Sequence, residues 1–228
     1  MMAGQRPISA PVPAGGGLLG QQEARRFWDR RHAAESLLRS GGDIGLTEAD
    51  NVIFYQIRLG LVLSAIAGRS PLPPQYRVLD AGCGKGWFSR QLAACGITVH
   101  GIDTSPSAIE QAEAAGGGPT YEVAALAEVR PRRAFDAVIC VDVFFHILDD
   151  DEWRESVLNL ASVVQRGGRL VVADTTAGER KRLGSYIVHR SGSEYQELLS
   201  DRGFEDRGVL PYHFRNNPLG LHVYERIR

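Results

Sequence analysis

The sequence lacks several features that would narrow its function at once. Only three of its 228 residues are cysteine, and none forms a CxxC pair or lies near a histidine at zinc-ligand spacing. No apolar run approaches the roughly 20 residues that a membrane span requires, and the first residues lack the basic and apolar regions of a secretory signal. Basic and acidic residues number 26 and 27, for a formal charge of −1. We therefore expect a cytoplasmic protein with no metal site, no membrane partner and no nucleic-acid partner.

Glycine, in contrast, is abundant, with 26 residues, although the share of hydrophobic residues (43%) and charged residues (23%) is typical of a soluble globular protein. Residues 1–20 combine glycine with proline and alanine, and they are predicted to be a disordered tail. Residues 21–70 carry two helical patterns, which we interpret as an N-terminal lid. A proline-rich break then leads into the main domain, residues 71–228.

The first lid helix is predicted over Gln22–Leu38. The second begins after an N-cap at Thr47, with Asp50 in the place of the usual capping-box glutamate, and it runs to about Ala67. Its apolar residues recur at helical spacing and predict a buried stripe made of Val52, Ile53, Ile57, Leu61 and Leu63.

The main domain alternates short apolar runs with helical patterns. The predicted strands are Arg77–Asp80, Thr98–Asp103, Thr120–Val123, Phe135–Val141 and Arg169–Asp174, and the predicted helices are Trp87–Cys95, Pro106–Ala115 and Asp150–Val164. This alternation is typical of a parallel sheet with helices on both faces. A further helix near Ser193–Arg202 precedes two strand-like runs, Arg207–Phe214 and Leu219–Arg228, which predict a C-terminal antiparallel hairpin.

A glycine-rich motif lies where the first predicted strand gives way to a helix. Its spacing is D-x-G-x-G-x-G, formed by Asp80, Gly82, Gly84 and Gly86. The dinucleotide fingerprint fails because Trp87 stands at the third glycine, and a P-loop would end in Gly-Lys-Ser/Thr rather than Gly-Lys-Gly. An acidic residue, Asp103, ends the second predicted strand, where a carboxylate accepts hydrogen bonds from ribose hydroxyls. The alternative for Asp103 is an N-cap of the helix that follows.

These motifs resemble those of class I S-adenosylmethionine (SAM)-dependent methyltransferases, over roughly residues 77–174. The resemblance implies a Rossmann-like α/β fold with a mostly parallel seven-stranded sheet and SAM as the cofactor. It implies that the glycine loop carries the methionine and sugar portions of SAM, and that Asp80 holds the amino group directly or through water. The implied cofactor-binding residues are Asp80, Gly82, Cys83, Gly84, Gly86, Asp103, Thr104, Ala125, Leu126 and Cys140.

The resemblance has one departure at the adenine. The family usually has an acidic residue after the third strand, and Ala125 stands there instead. Backbone groups of Ala125 and Leu126, or the side chain of Glu128, are the alternatives. Losing one hydrogen bond costs only about 0.5–1.5 kcal/mol, so we still expect SAM to bind.

The acceptor chemistry is predicted around the end of the fourth strand. His146 is the candidate general base, because an oxygen or nitrogen acceptor must lose a proton, and Asp142 is a second candidate catalytic residue. The alternatives are that His146 caps the next helix and that Asp142 caps a turn. Six residues are candidates for substrate binding, with core packing or solvated surface charge as their alternatives: Trp28, Tyr55, Arg58, His189, Arg190 and Arg215.

The sequence therefore predicts methyl transfer from SAM to an oxygen or nitrogen atom of a small molecule, of natural-product or saccharide type. The neutral charge favours such an acceptor, and the Asn/Asp-Pro-Pro-Tyr/Phe motif of many amino methyltransferases is absent after the fourth strand. The alternatives are methylation of carbon, cyclisation of SAM with release of methylthioadenosine, or SAM binding without catalysis. The oligomeric state stays open, and a homodimer is one arrangement.

Overall fold

The computed structural model describes residues 16–43, 45–68 and 71–228, so most of the predicted tail lies outside the described residues. The helices are α1 (Gln21–Ala34), α2 (Leu37–Ser40), α3 (Glu48–Ala67), α4 (Trp87–Ala94), α5 (Pro106–Ala114), α6 (Asp150–Ser162) and α7 (Gly192–Ser200). The strands are β1 (Arg77–Ala81), β2 (Thr98–Asp103), β3 (Thr120–Val123), β4 (Phe135–Cys140), β5 (Val164–Thr175), β6 (Lys181–Leu183), β7 (Ile187–His189), β8 (Phe204–Pro211) and β9 (Leu219–Arg226). A single 3₁₀ turn covers Phe144–His146.

The main sheet has seven strands in the order β3-β2-β1-β4-β5-β9-β8. The first five run parallel, whereas β9 pairs antiparallel with both β5 and β8. Strand β4 is almost wholly apolar because both faces of the sheet are covered. One face packs against α3 and α4, and the other packs against α6 and α7. The predicted Rossmann-like fold with a C-terminal antiparallel hairpin is therefore confirmed.

Several element boundaries differ from the prediction. The first lid helix is broken by the extended backbone of Glu35, which separates α1 from α2. Strand β5 starts at Val164, well before the predicted Arg169, because the Gly167-Gly168 pair stays within the strand. The hairpin of β6 and β7 was not predicted, since its strands have only three residues each. Strand β8 begins at Phe204 and ends before the predicted Phe214.

Helix α3 begins as predicted but turns a different face to the core. Thr47 accepts a hydrogen bond from the backbone N–H of Asp50, so the N-cap is confirmed. The predicted apolar stripe is correct only in part: Leu61 and Leu63 pack partly buried against the core, whereas Val52 and Ile53 are 43% and 51% exposed. The buried face instead carries Phe54, Tyr55, Val62, Ala65 and Ile66, together with the polar residues Asn51 and Arg58.

Asn51 tolerates burial because the loop before α3 satisfies its amide. It accepts from the backbone N–H of Asp43 at 3.1 Å and donates to the carbonyls of Asp43 and Thr47 at 3.0 and 3.2 Å. A polar group costs little inside a protein when its hydrogen bonds are made. The inward face of α3 is thus chosen by satisfied polar contacts as well as by apolar area.

Within the described residues, α3 is the one helix whose length and apolar composition would suffice to cross a membrane. Core helices of soluble proteins meet the same criteria, so the match is weak evidence for a membrane span. Here Val62, Ala65 and Ile66 pack in the same core cluster as Val171 of β5 and Leu221 of β9. Helix α3 is therefore anchored on the sheet, whereas α1 lies across its carboxyl edge.

Candidate functional site

A cavity of about 420 Å³ opens at the carboxyl ends of the parallel strands. Its walls come from the loop after β1, the residues that follow β2, β3 and β4, and the inward sides of α1, α2 and α3. Ligands of open α/β sheets bind at this edge, where neighbouring strands diverge. The cavity is therefore the candidate active site.

The glycine loop forms one wall of the cavity and requires residues without a side chain. The backbone N–H groups of Gly82 and Cys83 both donate to the carbonyl of Ile102, at 2.8 and 2.9 Å, and hold the loop against β2. Gly82 has φ +77°, and a Cβ there would collide with Val143. Gly84 has φ +52°, and a Cβ would lie 3.2 Å from the ring of His32. These contacts make the loop's backbone the surface that a ligand meets.

Asp103 lies half-buried beside the glycine loop and is fixed by the backbone. One carboxylate oxygen accepts from the N–H of Gly84 and the other from the N–H of Ser105, both at 2.9 Å. Each oxygen keeps a lone pair for a further donor. The alternative role as helix cap falls to Ser105, whose hydroxyl accepts from the N–H of Ala108. Asp103 is therefore placed to accept hydrogen bonds from a ligand in the cavity.

Three of the predicted cofactor residues do not line the cavity. Asp80 is buried beneath the glycine loop, where it accepts from the hydroxyl of Ser89 at 2.5 Å, and burial raises its pKa to about 6. Gly86 precedes the first turn of α4 and is needed because a Cβ would collide with the hydroxyl of Tyr121. Cys140 is fully buried within β4, where burial raises the pKa of its thiol. These residues shape the loop and the sheet beneath it.

The other predicted cofactor residues do line the cavity: Gly82, Cys83, Gly84, Asp103, Thr104, Ala125 and Leu126. Glu128 is exposed and lies outside the lining, so its side chain does not replace the acidic residue that the family usually has. The adenine alternative that remains is the backbone of Ala125 and Leu126. The lining thus combines the glycine loop, a fixed carboxylate and an apolar wall.

Arg58 and Asp142 form a buried ion pair at the wall provided by α3. Arg58 is 2% exposed, and its Nη1 donates to Oδ2 of Asp142. The hydroxyl of Tyr212 donates to the other carboxylate oxygen at 2.8 Å. Asp142 lines the cavity with both carboxylate oxygens engaged in hydrogen bonds, and its catalytic role stays a prediction. The backbone of Asp142 has φ +57°, a conformation that aspartate tolerates better than most residues.

The guanidinium of Arg58 is also fixed by aromatic rings. Its central carbon lies 4.2 Å from the ring centroids of both Phe54 and Tyr55. Its Nε and Nη2 are buried and have no hydrogen-bond partner. The two predicted substrate residues Tyr55 and Arg58 thus line the cavity together.

His146 follows β4 and faces the cavity beside Trp28, whose ring centroid lies 4.5 Å from that of the imidazole. The Nδ1 atom lies 2.9 Å from the backbone carbonyl oxygen of Tyr186. A carbonyl oxygen only accepts, so Nδ1 carries the proton and Nε2 keeps a free lone pair. Burial lowers the pKa of His146 to about 3, so the ring is neutral at ordinary pH.

The alternative that His146 caps the next helix is wrong, because Asp149 caps α6 by accepting from the N–H of Glu152 at 2.9 Å. The expected basicity near neutral pH is also wrong, since burial disfavours the charged imidazolium. The Nε2 atom of His146 keeps a lone pair that is directed away from Tyr186. It is a hydrogen-bond acceptor in the cavity wall.

The other three predicted substrate residues lie outside the cavity lining. His189 is buried and its Nδ1 lies 2.8 Å from Oδ1 of Asp174. Arg190 is fully buried and reaches the carbonyl of Ile147 and the carboxylate of Asp150. Arg215 is exposed and pairs with Asp50 at 2.5 Å. The prediction of substrate contacts is therefore not met, because each side chain has partners elsewhere.

Helix α1 covers the cavity with one face, which carries Ala24, Arg25, Trp28 and His32. Three polar contacts attach it to the sheet domain. Asp29 accepts from the hydroxyl of Ser105 at 2.6 Å and from the N–H of Ser107 at 3.1 Å, at the N-terminus of α5. Lys85 donates to the carbonyl of Glu35 at 2.7 Å, and Gln111 donates to the carbonyl of His32 at 3.1 Å. These bonds hold the second half of α1 and the residue that follows it.

Among the cavity residues that escaped the sequence reasoning are two beside or within the glycine loop, His32 and Lys85. The ring of His32 sits over Gly84, and burial lowers the pKa of its imidazole. The spacing of Trp28 and His32, four residues apart on one helix face, was the available signal. Lys85 lies within the glycine motif itself. Within the described residues, no group of three or more histidine, cysteine, aspartate or glutamate side chains is arranged to hold a metal ion.

Comparison with known proteins places this site among methyltransferases. Residues 78–168 match a family described as "Methyltransferase domain". The chain is 26% identical over 185 residues to a ubiquinone biosynthesis O-methyltransferase of Rickettsia canadensis, covering 72% of this chain and 75% of that protein. It is 28% identical over 181 residues to a magnesium-protoporphyrin O-methyltransferase of Synechocystis, covering 72% and 77%.

Solved methyltransferase structures share the fold of this chain. A crystal structure of magnesium protoporphyrin IX methyltransferase from Synechocystis PCC 6803 with bound S-adenosylhomocysteine (SAH) superposes with a TM-score of 0.68 at 21% identity. The superposition covers 91% of this chain and 100% of that one. At this identity the likeness shows the fold. The residues that match the family run from β1 into β5 and include the glycine loop and Asp103.

Proposed function

Since the chain belongs to the class I SAM-dependent methyltransferases, we propose that it methylates an oxygen atom of a small molecule, with His146 accepting the acceptor's proton. The enzyme class and the cofactor follow from the family. The proposed acceptor chemistry rests on His146, which faces the cavity. Its Nδ1 donates to the carbonyl of Tyr186, and its Nε2 has a free lone pair. The relatives are O-methyltransferases, which supports oxygen as the acceptor atom.

The residues present fit SAM. The glycine loop offers backbone that a Cβ would obstruct at Gly82 and Gly84. Asp103 keeps lone pairs for the ribose hydroxyls, and Ala125 and Leu126 provide an apolar wall for the adenine. Arg58 lines the cavity, and its buried Nε and Nη2 atoms have no hydrogen-bond partner. When bound, SAM supplies a methyl group on a positively charged sulfur, which leaves as the neutral thioether SAH.

The protein's tasks are to align the acceptor, exclude water and remove one proton. Helix α1 closes the cavity from above and so limits the access of water. An acceptor hydroxyl becomes strongly acidic as its oxygen gains the methyl group. A neutral imidazole with a low pKa is therefore basic enough to take that proton at Nε2 and pass it to solvent. Alignment supplies most of the remaining rate enhancement.

An enclosed cavity supports a small acceptor. Its lining at α1 includes the apolar side chains of Ala24 and Trp28, and the chain has no excess of basic residues for a polyanion. No observation favours methylation of carbon or cyclisation of SAM. Release of methylthioadenosine instead of SAH, measured by mass spectrometry, would identify cyclisation.

The test is replacement of His146 by alanine and by glutamine. We expect turnover with hydroxylated small molecules and methyl-labelled SAM to fall about 10²-fold or more in His146→Ala, the usual contribution of a positioned acid or base. Affinity for SAH should change less than twofold, because His146 acts on the acceptor. Glutamine, which can accept a hydrogen bond but cannot take a proton, should not restore the rate.

The matched control is His213→Ala, which removes an exposed histidine outside the cavity. It should leave both turnover and SAH affinity unchanged. Equal turnover in His146→Ala and His213→Ala would remove His146 from the mechanism. Equal losses of SAH affinity and of turnover would place His146 in cofactor binding instead.

A further inference from the structure

One short segment, Tyr186–Arg190, contacts the turn that carries His146 at three points. The carbonyl of Tyr186 accepts from His146 Nδ1 at 2.9 Å. The ring of His189 packs against that of Phe145, with centroids 4.8 Å apart. Nη1 of Arg190 donates to the carbonyl of Ile147 at 2.9 Å. The backbone and the ring of the candidate base are thus held from the same side.

The segment is itself anchored by a buried carboxylate at the end of β5. Asp174 is 0% exposed and has three partners on the segment and on α7. Its Oδ1 lies 2.8 Å from His189 Nδ1, and its Oδ2 accepts from the N–H of Arg190 at 3.3 Å and from the hydroxyl of Tyr195 at 2.8 Å. The segment therefore has a fixed position relative to the sheet.

Arg190 extends this anchoring to α6. Its Nη2 donates to Oδ1 of Asp150 at 2.8 Å, and its guanidinium lies 4.7 Å from the ring centroid of Trp153. Burying an arginine costs several kcal/mol unless its hydrogen bonds are well made, and the 57% exposed Asp150 supplies one of them. These bonds converge on the residues around His146, although Arg190 itself does not line the cavity.

The contacts have a chemical consequence at the other ring nitrogen. With Nδ1 held as a donor, Nε2 presents a lone pair to the cavity. A hydroxyl group can donate to that lone pair, whereas an ionised carboxylate has no proton to donate and would meet it with its own lone pairs. The orientation of His146 thus distinguishes two kinds of oxygen acceptor.

We propose that the Tyr186–Arg190 segment positions His146 in this tautomer and so selects a hydroxyl acceptor over a carboxylate. The inference rests on the proposed function, in which His146 accepts the acceptor's proton. Arg190 and His189 are positioning residues, since they act through the turn and do not contact the reacting atoms. The methyl group is then transferred to form an ether rather than an ester.

The first test reads the tautomer directly and needs no acceptor. Nitrogen-15 spectra of the imidazoles are recorded on the intact protein with SAH present, and the signals of His146 among the six histidines are identified by their loss in His146→Gln. We expect a protonated Nδ1 and an unprotonated Nε2 from pH 5 to pH 8. A protonated Nε2, or rapid exchange between both forms, would overturn the proposal even if His146 is essential for turnover.

The second test removes the positioning contact. Arg190→Met loses the bonds to Ile147 and Asp150, while Arg190→Lys keeps one donor. We expect Arg190→Met to lower kcat at least tenfold, to mix the tautomers of His146 and to leave SAH affinity within twofold. Arg190→Lys should recover part of both signals. Arg190→Met removes a buried charge and can unfold the protein, in which case Arg190→Lys is the variant to interpret. An unaltered His146 tautomer and an unaltered kcat in Arg190→Lys would count against the proposal.

The matched control is Arg180→Met. Arg180 also binds Asp150, but it is 43% exposed and no bond joins it to the His146 turn. It should leave the tautomer and kcat unchanged. The product supplies the last measurement: methyl label from SAM should stay in the product after alkaline hydrolysis, as in an ether. Label released as methanol would show an ester and would contradict the selection of hydroxyl acceptors.

Discussion

Replacing Asp103 by alanine should weaken the binding of SAH by about 10- to 150-fold. The carboxylate lies in the cavity wall beside the glycine loop, with a free lone pair on each oxygen. A hydrogen bond to a charged group contributes about 1.5–3 kcal/mol, and each 1.4 kcal/mol is a factor of ten in affinity. The lower figure corresponds to one ribose hydroxyl held at modest strength, and the upper figure to a stronger bond or to both hydroxyls.

The same substitution also removes two internal bonds, to the N–H groups of Gly84 and Ser105. These are lost in both the free and the bound protein, so they lower the free energy of unfolding by about 1–3 kcal/mol without entering the binding constant directly. Thermal unfolding measures that contribution, and isothermal titration calorimetry measures the affinity. Asp206→Ala is the matched control, because this exposed carboxylate accepts from a backbone N–H at 2.7 Å at a bulge of β8, outside the cavity.

A ligand without ribose hydroxyls separates the direct contact from the loop. If Asp103 binds the ribose, the 2′,3′-dideoxy analogue of SAH should bind the wild type as weakly as SAH binds Asp103→Ala. The variant should then bind SAH and the analogue equally. An unchanged affinity for SAH, or an equal loss of affinity for both ligands on substitution, would refute the ribose assignment.

Two further predictions concern the cofactor and the lid. Burial raises the pKa of Asp80 to about 6, so the free protein takes up a proton there as the pH falls below that value. An ionised Asp80 is the form that would hold the ammonium group of the ligand. Affinity for SAH should therefore fall about tenfold between pH 7 and pH 5. Calorimetry on Asp80→Asn should show no such slope, and a slope that persists would assign it to another group. Asp29→Ala removes the two bonds that attach α1 to the N-terminus of α5, an N-cap type of contact with a contribution of about 0.5–2 kcal/mol, so SAH should dissociate roughly 2- to 30-fold faster. Stopped-flow tryptophan fluorescence measures this rate through Trp28, and an unaltered rate would mean that α1 does not control release.

Local patterns were sufficient to predict the part of the fold that forms the cofactor wall. Strands β2 and β3 have the predicted bounds, because each is a short apolar run between clear turn signals. The positive φ angles of Gly82 and Gly84 agree with the expected sharp loop. These features depend on residues close together in the chain, which is the range over which sequence patterns are informative.

The acceptor side depended on contacts between distant residues. His189 and Arg190 were predicted to bind the substrate, yet hydrogen bonds to Asp174 and Asp150 hold both of them in the interior. The hairpin of β6 and β7, which brings them to the His146 turn, has strands too short to give a pattern. The low pKa of His146 likewise follows from the rings and backbone around it, and the residue type alone suggested a value near neutrality.

The pairing of Arg58 with Asp142 also helps to set the rotation of α3 about its own axis. Turning the helix by one residue, about 100°, would move Arg58 toward water and bring Val52 or Ile53 inward, a gain of about 1.5–3 kcal/mol for each side chain buried. The observed orientation leaves both of these apolar residues 43–51% exposed and keeps the guanidinium inside. The same rotation would withdraw Phe54, Val62 and Ile66 from the core, so the charge pair acts together with apolar burial to select the observed orientation.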